Sequence, residues 1–208
     1  MLKKERRINN MQLKIEMYDV KDEMIFDTEE IFAHEIIQEV DGYYCIPVVF
    51  EIFDEDENEV ATITAYFLDE RRIADNGLEI STVADMFSQD LYNAVNALKK
   101  SEKYCDICSE AYTCYIETLY VYPMFRGLGI GKYLWENIAD IFEYFTNRNI
   151  HAMVVYPKPH VLIEGRTNTI KRAIEDDELL QVMKHCLVSN GYEEIEDSNY
   201  FMKIYLDE

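Results

Sequence analysis

The residues best suited to chemistry lie together in the middle of the chain. Arg126-Gly127-Leu128-Gly129-Ile130-Gly131 follows a β-branched and aromatic run and precedes an apolar helical stripe. Residues without Cβ let backbone N–H groups approach an anion closely, and the N–H groups of a helix's first turn have no acceptor within it. With the positive end of the helix dipole, they suit a phosphate or pyrophosphate. Arg126 and Lys132 add positive charge there. The spacing is not that of a Walker A loop, because no Gly-Lys-Ser/Thr follows. A dinucleotide fingerprint needs its glycines at other offsets and an acidic residue after the next strand. Just upstream, strand alternation puts Glu117 on the face of Leu119 and Val121, a carboxylate beside the anion cradle.

Other constellations carry less. Cys105-Asp-Ile-Cys108, with Cys114 beyond, is one knuckle of a zinc site without its second half, so no metal is expected. His34, His151, His160 and His185 show neither paired ligand spacing nor a nucleophile elbow, which leaves a triad hydrolase unsupported. Lys158, Arg166, Lys171 and Arg172 form a local basic patch suited to a phosphate or to balancing Glu164 and Glu175.

The elements that must position these residues can be read from periodicity. Met11 to Met17 alternates as a strand, which leaves residues 1–10 as a tail. Ile31 to Val40 repeats at helical spacing up to Asp41-Gly42. Tyr43 to Phe53 and Val60 to Leu68 form a hairpin, with Pro47 pushing the first of them toward an edge or bulge. Asp69 to Ser81 reads as loop, and Val83, Met86, Phe87, Leu91, Val95 and Leu98 as one helical stripe. Ala111 to Tyr122, Gly129 to Asn147 and Ile150 to Tyr156 read as strand, helix and strand, a βαβ unit. Pro157 to Arg172 is irregular, Asp177 to Asn190 helical with Gly191 as its stop, and Glu193 to Glu196 and Tyr200 to Leu206 close the chain as strands.

The chain has 208 residues, 49% of them hydrophobic, enough for one packed domain. A net charge of -21 argues against nucleic acid and against the anionic membrane surface as partners, and draws in cationic ligands. With no apolar spanning stretch, no signal-like segment and five cysteines too sparse for a disulfide scaffold, a cytoplasmic protein is expected.

Glu117, Leu119, Tyr120, Val121, Pro123, Arg126, Gly129, Ile130, Gly131 and Leu134 together resemble the acetyl-CoA signature of the GNAT superfamily of N-acetyltransferases. The resemblance covers most of the chain as a single GNAT-like domain over 1–208, with 69–110 as an insertion carrying a helix. It implies an α/β fold, a mixed and strongly twisted sheet of six or seven strands flanked by helices and splayed between Ala111–Tyr122 and Ile150–Tyr156. It also implies acetyl-CoA as acyl donor. Arg126, Gly127, Leu128, Gly129, Ile130, Gly131 and Lys132 would cradle the pyrophosphate, and Leu119, Tyr120 and Val121 would offer main-chain groups to the pantetheine arm. The acceptor would be a primary amine of a small cationic molecule or of a protein or peptide. Glu117 is the candidate base or amine anchor. The tyrosine that often supplies the acid in this family is replaced here by Leu187, which leaves His185 as a displaced candidate. The same replacement leaves open a module that binds acyl-CoA with little or no turnover, and a homodimer is left open as well.

Overall fold

The computed structural model describes residues 2–8, 11–19, 44–104, 112–147, 149–164 and 169–205; of 2–8, 11–19, 162–164 and 169–172 the backbone alone is described. The sequence expected as the first helix, Ile31 to Val40, lies outside them, as do Cys105 and Cys108. Ten strands are present among the described residues: β1 (Leu2–Ile8), β2 (Met11–Asp19), β3 (Cys45–Phe53), β4 (Glu59–Asp69), β5 (Tyr112–Val121), β6 (Ile150–Val155), β7 (His160–Glu164), β8 (Thr169–Ala173), β9 (Glu193–Glu194) and β10 (Phe201–Ile204). Eight of them form one sheet in the order β1-β2-β3-β4-β5-β6-β10-β9, and β7 and β8 pair apart. Within the large sheet only β5 and β6 run parallel. This is the expected mixed sheet flanked by helices.

Two readings of the sequence are corrected. Residues 1–10, expected as a tail, contain β1, which pairs antiparallel with β2 from Leu2↔Met17 to Ile8↔Met11 and supplies the eighth strand. The stretch Pro157 to Arg172, expected as irregular, holds the antiparallel pair β7–β8.

Among the described residues five helices flank the sheet: α1 (Glu70–Asp75), α2 (Ile80–Asp85), α3 (Gln89–Lys100), α4 (Ile130–Thr146) and α5 (Asp177–Ser189). The insertion therefore holds three helices where a loop and one helix were expected. The reason lies in its polar residues. The Asp69 carboxylate accepts from the Arg72 N–H at 3.0 Å and starts α1. Ser88, in extended backbone, interrupts the apolar stripe and caps α3 by accepting from the Leu91 N–H at 3.1 Å.

Alternation along the central strands sends side chains to two cores. On one face Cys114 and Ile116 of β5, Met153 and Val155 of β6 and Phe201 of β10 meet Ile130, Leu134, Ile138, Ile141, Phe142 and Phe145 of α4. On the other face Tyr115, Ala152, Val154 and Met202 meet Ile73, Val83, Leu91, Val95 and Leu98 of the insertion. The molecule is thus layered as helix, sheet, helix, with α4 on one side and α1 to α3 on the other.

A buried polar cluster ties the insertion to the sheet. Glu70, 6% exposed in the first turn of α1, accepts through Oε1 from the Thr113 hydroxyl of β5 and from the Tyr104 hydroxyl at 3.4 Å. His151 Nδ1 of β6 lies 3.2 Å from the same oxygen.

On the α4 face, Phe142 is fully buried, stacked on Phe50 at 4.9 Å and edge-on to Phe67 at 5.0 Å. Phe142→Ala leaves a void between α4 and the sheet, and should cost about 3 to 5 kcal/mol of unfolding free energy. Urea titration measures it, and a loss under about 1 kcal/mol would show that α4 is not seated as described.

Candidate functional site

The site is built on β5. This strand pairs with β4 over its whole length, from Tyr112↔Asp69 to Val121↔Ala61, but with β6 only from Tyr112 to Ile116. Beyond Ile116 the two parallel strands part, because β6 ends at Val155. The β4–β5 register slips at the same place: Ile116 pairs with Ala65 and Thr118 with Thr64, so Glu117 is the extra residue of a β-bulge.

The bulge changes which face each residue serves. Before it, even-numbered Cys114 and Ile116 point to the α4 core; after it, odd-numbered Leu119 and Val121 pack there. Glu117 lines a cavity with Tyr115 and Thr118 and does not share the face of Leu119 and Val121. Plain alternation from the sequence misplaced it, since alternation holds only while the ladder is regular.

After β5 the chain makes a short 3-10 turn at Pro123–Phe125 and enters α4. Gly127 has φ +78° and Gly129, the N-cap of α4, φ +85°, both in the left-handed region that a side chain disfavours. The first bond within the helix runs from the Tyr133 N–H to the Gly129 carbonyl at 3.0 Å, so the N–H groups of Ile130, Gly131 and Lys132 have no acceptor in the helix. A Cβ on Gly131 would meet Val121 Cγ2 at 3.6 Å, an ordinary contact. The protein's own packing therefore tolerates a methyl there. Arg126 is folded back: its Nε donates to the Val121 carbonyl at 2.9 Å, with the guanidinium 5.3 Å from the Tyr120 ring centroid. Lys132 is exposed and lies 3.5 Å from Glu136.

A cavity of about 440 Å³ opens over this turn. Leu119, Tyr120, Val121, Arg126, Gly127, Gly129, Ile130, Gly131 and Lys132 all line it, as the sequence had placed them; Leu128 is exposed beside them. Its far wall was not anticipated. Leu179, Val182, Met183 and Cys186 of α5 stand at i, i+3, i+4 and i+7 and face the cavity, while Leu187 is the helix's buried residue. That spacing was readable as a helical stripe, but a stripe alone does not say whether it faces a core or a cleft. Burial first, and Glu136 second, push the Cys186 thiol above its usual range, which keeps it protonated and unreactive at neutral pH.

A second cavity, of about 280 Å³, lies on the other side of the bulge and is lined by Thr64, Asp90, Tyr115, Glu117, Thr118, Tyr156, Lys158 and His160. Lys158 and His160 also line the first cavity. The two spaces adjoin where β5 passes from Thr118 to Leu119, with Lys158 and His160 common to both. Of the basic patch Lys158 lines both cavities; Arg166 lies outside the described residues, and of Lys171 and Arg172 the backbone alone is described.

Three side chains near α5 fall away from the site. His185 is exposed and is not among the residues lining either cavity. Leu187 is 1% exposed in the α4 core. Tyr192 is buried with its hydroxyl donating to Met153 Sδ at 3.2 Å, and burial raises it well above the ordinary tyrosine range. Sequence reasoning gave no site role to Asp90, Tyr115, Tyr156 or His160, which meet only in the folded chain, while Lys158 had been read as part of a basic patch suited to a phosphate.

The sequence matches the acetyltransferase (GNAT) family over residues 15–158. No curated protein matches it. Among solved structures, a GNAT-family acetyltransferase from Listeria monocytogenes superposes with a TM-score of 0.43 at 9% identity, covering 97% of this chain and 100% of the other. The KacTA–DNA complex gives 0.42 at 14% identity over 93% of each chain. NAA60 of Arabidopsis thaliana, solved with acetyl-CoA, gives 0.39 at 13% identity over 92% of this chain and 99% of the other.

The turn before α4 makes a prediction of its own. Gly129→Ala forces a Cβ into left-handed backbone and should cost about 1 to 2 kcal/mol of stability by urea unfolding. An unchanged midpoint would show that the turn does not need the conformation found at Gly129.

Proposed function

The chain belongs to the acetyltransferase (GNAT) family, and on that premise we propose that it transfers an acetyl group from acetyl-CoA to a primary amine. The observation that carries this reading is the adjacency of two cavities across the bulge, one over a bare helix N-terminus and one holding a carboxylate. The N–H groups of Ile130, Gly131 and Lys132, with the left-handed turn at Gly127 and Gly129, suit the pyrophosphate of CoA. Main-chain groups of Leu119 and the Val121 N–H, on the side of β5 that β6 leaves uncovered, suit the amides of the pantetheine arm, while the Val121 carbonyl is taken by Arg126 Nε. The apolar wall of Leu179, Val182 and Met183 suits its methylenes.

In the proposed reaction Glu117 takes a proton from the acceptor ammonium, whose usual pKa of ~10.4 makes it unreactive at neutral pH. The amine nitrogen then attacks the thioester carbonyl; the C–N bond forms, the nitrogen releases its second proton to solvent, and the C–S bond breaks. A main-chain N–H beside Tyr120 or Val121 stabilises the oxyanion. The departing sulfur needs a proton, and neither Leu187 nor the core-bound Tyr192 supplies one. His160 takes that role in this reading, supported by its place on both cavities; His185, the candidate from sequence, points elsewhere. Leu187 also favours a second reading, a module that holds acyl-CoA without turning it over.

Glu117→Gln and His160→Gln should each lower kcat by about 10²-fold or more while CoA affinity by calorimetry stays within about twofold, and His185→Gln should change neither. Equal turnover in the Glu117 and His160 variants and the parent would overturn both assignments. Tight CoA binding with no thiol release across amines and amine-bearing peptides would instead support the binding module.

A further inference from the structure

Resting on the acetyl-transfer reading, we infer that the acceptor is a small alkyl diamine or polyamine. One ammonium is held at Glu117 for reaction, and a second is held by Asp90 of the insertion.

Asp90 and Glu117 reach the same cavity from separate elements, α3 and the β5 bulge. Both raise the Tyr115 hydroxyl above the ordinary tyrosine range, after burial and Tyr200, so both stand within electrostatic reach of that phenol. Glu117 comes from the bulge that borders the cofactor cavity and Asp90 from the insertion, and Tyr115 belongs to the same lining. A monoamine needs one carboxylate. Two carboxylates brought from separate elements into one cavity lined by Tyr115 and Tyr156 match two ammonium groups joined by methylenes, which can lie against the tyrosine rings.

Size and charge agree with that ligand. A cavity of about 280 Å³ has room for a short diamine or triamine. Thr118 Oγ1, on the same wall, is buried with no hydrogen-bond partner. Lys158 is the fixed cation of the lining; it also borders the cofactor cavity, and its ammonium is 5.8 Å from the Tyr156 ring centroid. The chain as a whole, with a net charge of -21, concentrates dications.

Asp90 also sits in the first turn of α3, where an acidic residue stabilises a helix whatever the ligand. The test must separate the two roles. With acetyl-CoA as donor, kcat/KM is measured for 1,4-diaminobutane and for butylamine, in the parent and in Asp90→Asn. The parent should prefer the diamine, and the variant should lose about fivefold on the diamine, the effect of one partly exposed ion pair, while butylamine stays within about twofold. No preference in the parent, or an equal loss on both amines, would overturn the diamine assignment and leave acetyl transfer standing. Acetylation of amine-bearing peptides but of neither small amine would do the same. No thiol release with any of these acceptors would overturn acetyl transfer itself and this inference with it.

Discussion

A strand laid between two partners spends all its main-chain donors and acceptors on its neighbours, and β5 escapes that condition over its second half. It stays paired with β4 to Val121, which keeps it in the sheet, yet leaves β6 after Ile116. The parting frees the outer edge at Leu119, while at Val121 the carbonyl is taken by Arg126 Nε and the other edge stays pinned to β4. Ladder bonds given up there are offset by the aromatic packing of α4, where Phe50, Phe67, Phe142 and Phe145 interlock beneath the same strands. The extra residue at Glu117 completes the arrangement. Its shift of parity gives one strand two different working faces within five residues, apolar backing toward α4 at Leu119 and Val121 and a carboxylate on the opposite side.

The insertion serves both stability and the site. Its apolar residues close the sheet face that α4 does not cover, a structural task that would be met by any helix of the right shape. Yet the first turn of α3 also brings Asp90 to the cavity beyond Glu117. A segment held by its own buried core can present a surface residue with little mobility, because the ordering cost has already been met by packing.

Much of this was legible in the sequence. The glycine string, its strand before and its helix after share one local stretch of chain, so spacing and the family resemblance together pointed to the turn where Arg126, Gly127 and Gly129 to Lys132 line one cavity. The boundaries of β3, β4, β5 and α4 followed from alternation and helical stripes for the same reason. What local pattern cannot carry is a register. The bulge at Glu117 depends on how β5 meets β4, and nothing in Tyr115-Ile116-Glu117-Thr118 announces it. Likewise β1 is basic and polar enough to read as a tail, and becomes a strand only by pairing with β2. His160 carried no local signal either, since its importance comes from lying where two cavities adjoin.

The carboxylate of Glu70 gathers partners that are distant along the chain: Thr113 is 43 residues on, and His151 is 81. A charge withdrawn from water without its hydrogen-bond donors is strongly disfavoured. The first turn of α1 therefore has reason to stay hydrated until β5 and β6 are both in place beside it. That ties the docking of the helices encoded by residues 70 to 100 to a parallel strand pair completed only after residue 150. Folding of this face must then run against the order of synthesis: helices made early wait for a strand made late. The long-range closure of β5 against β6 becomes the gate through which the insertion reaches its final packing.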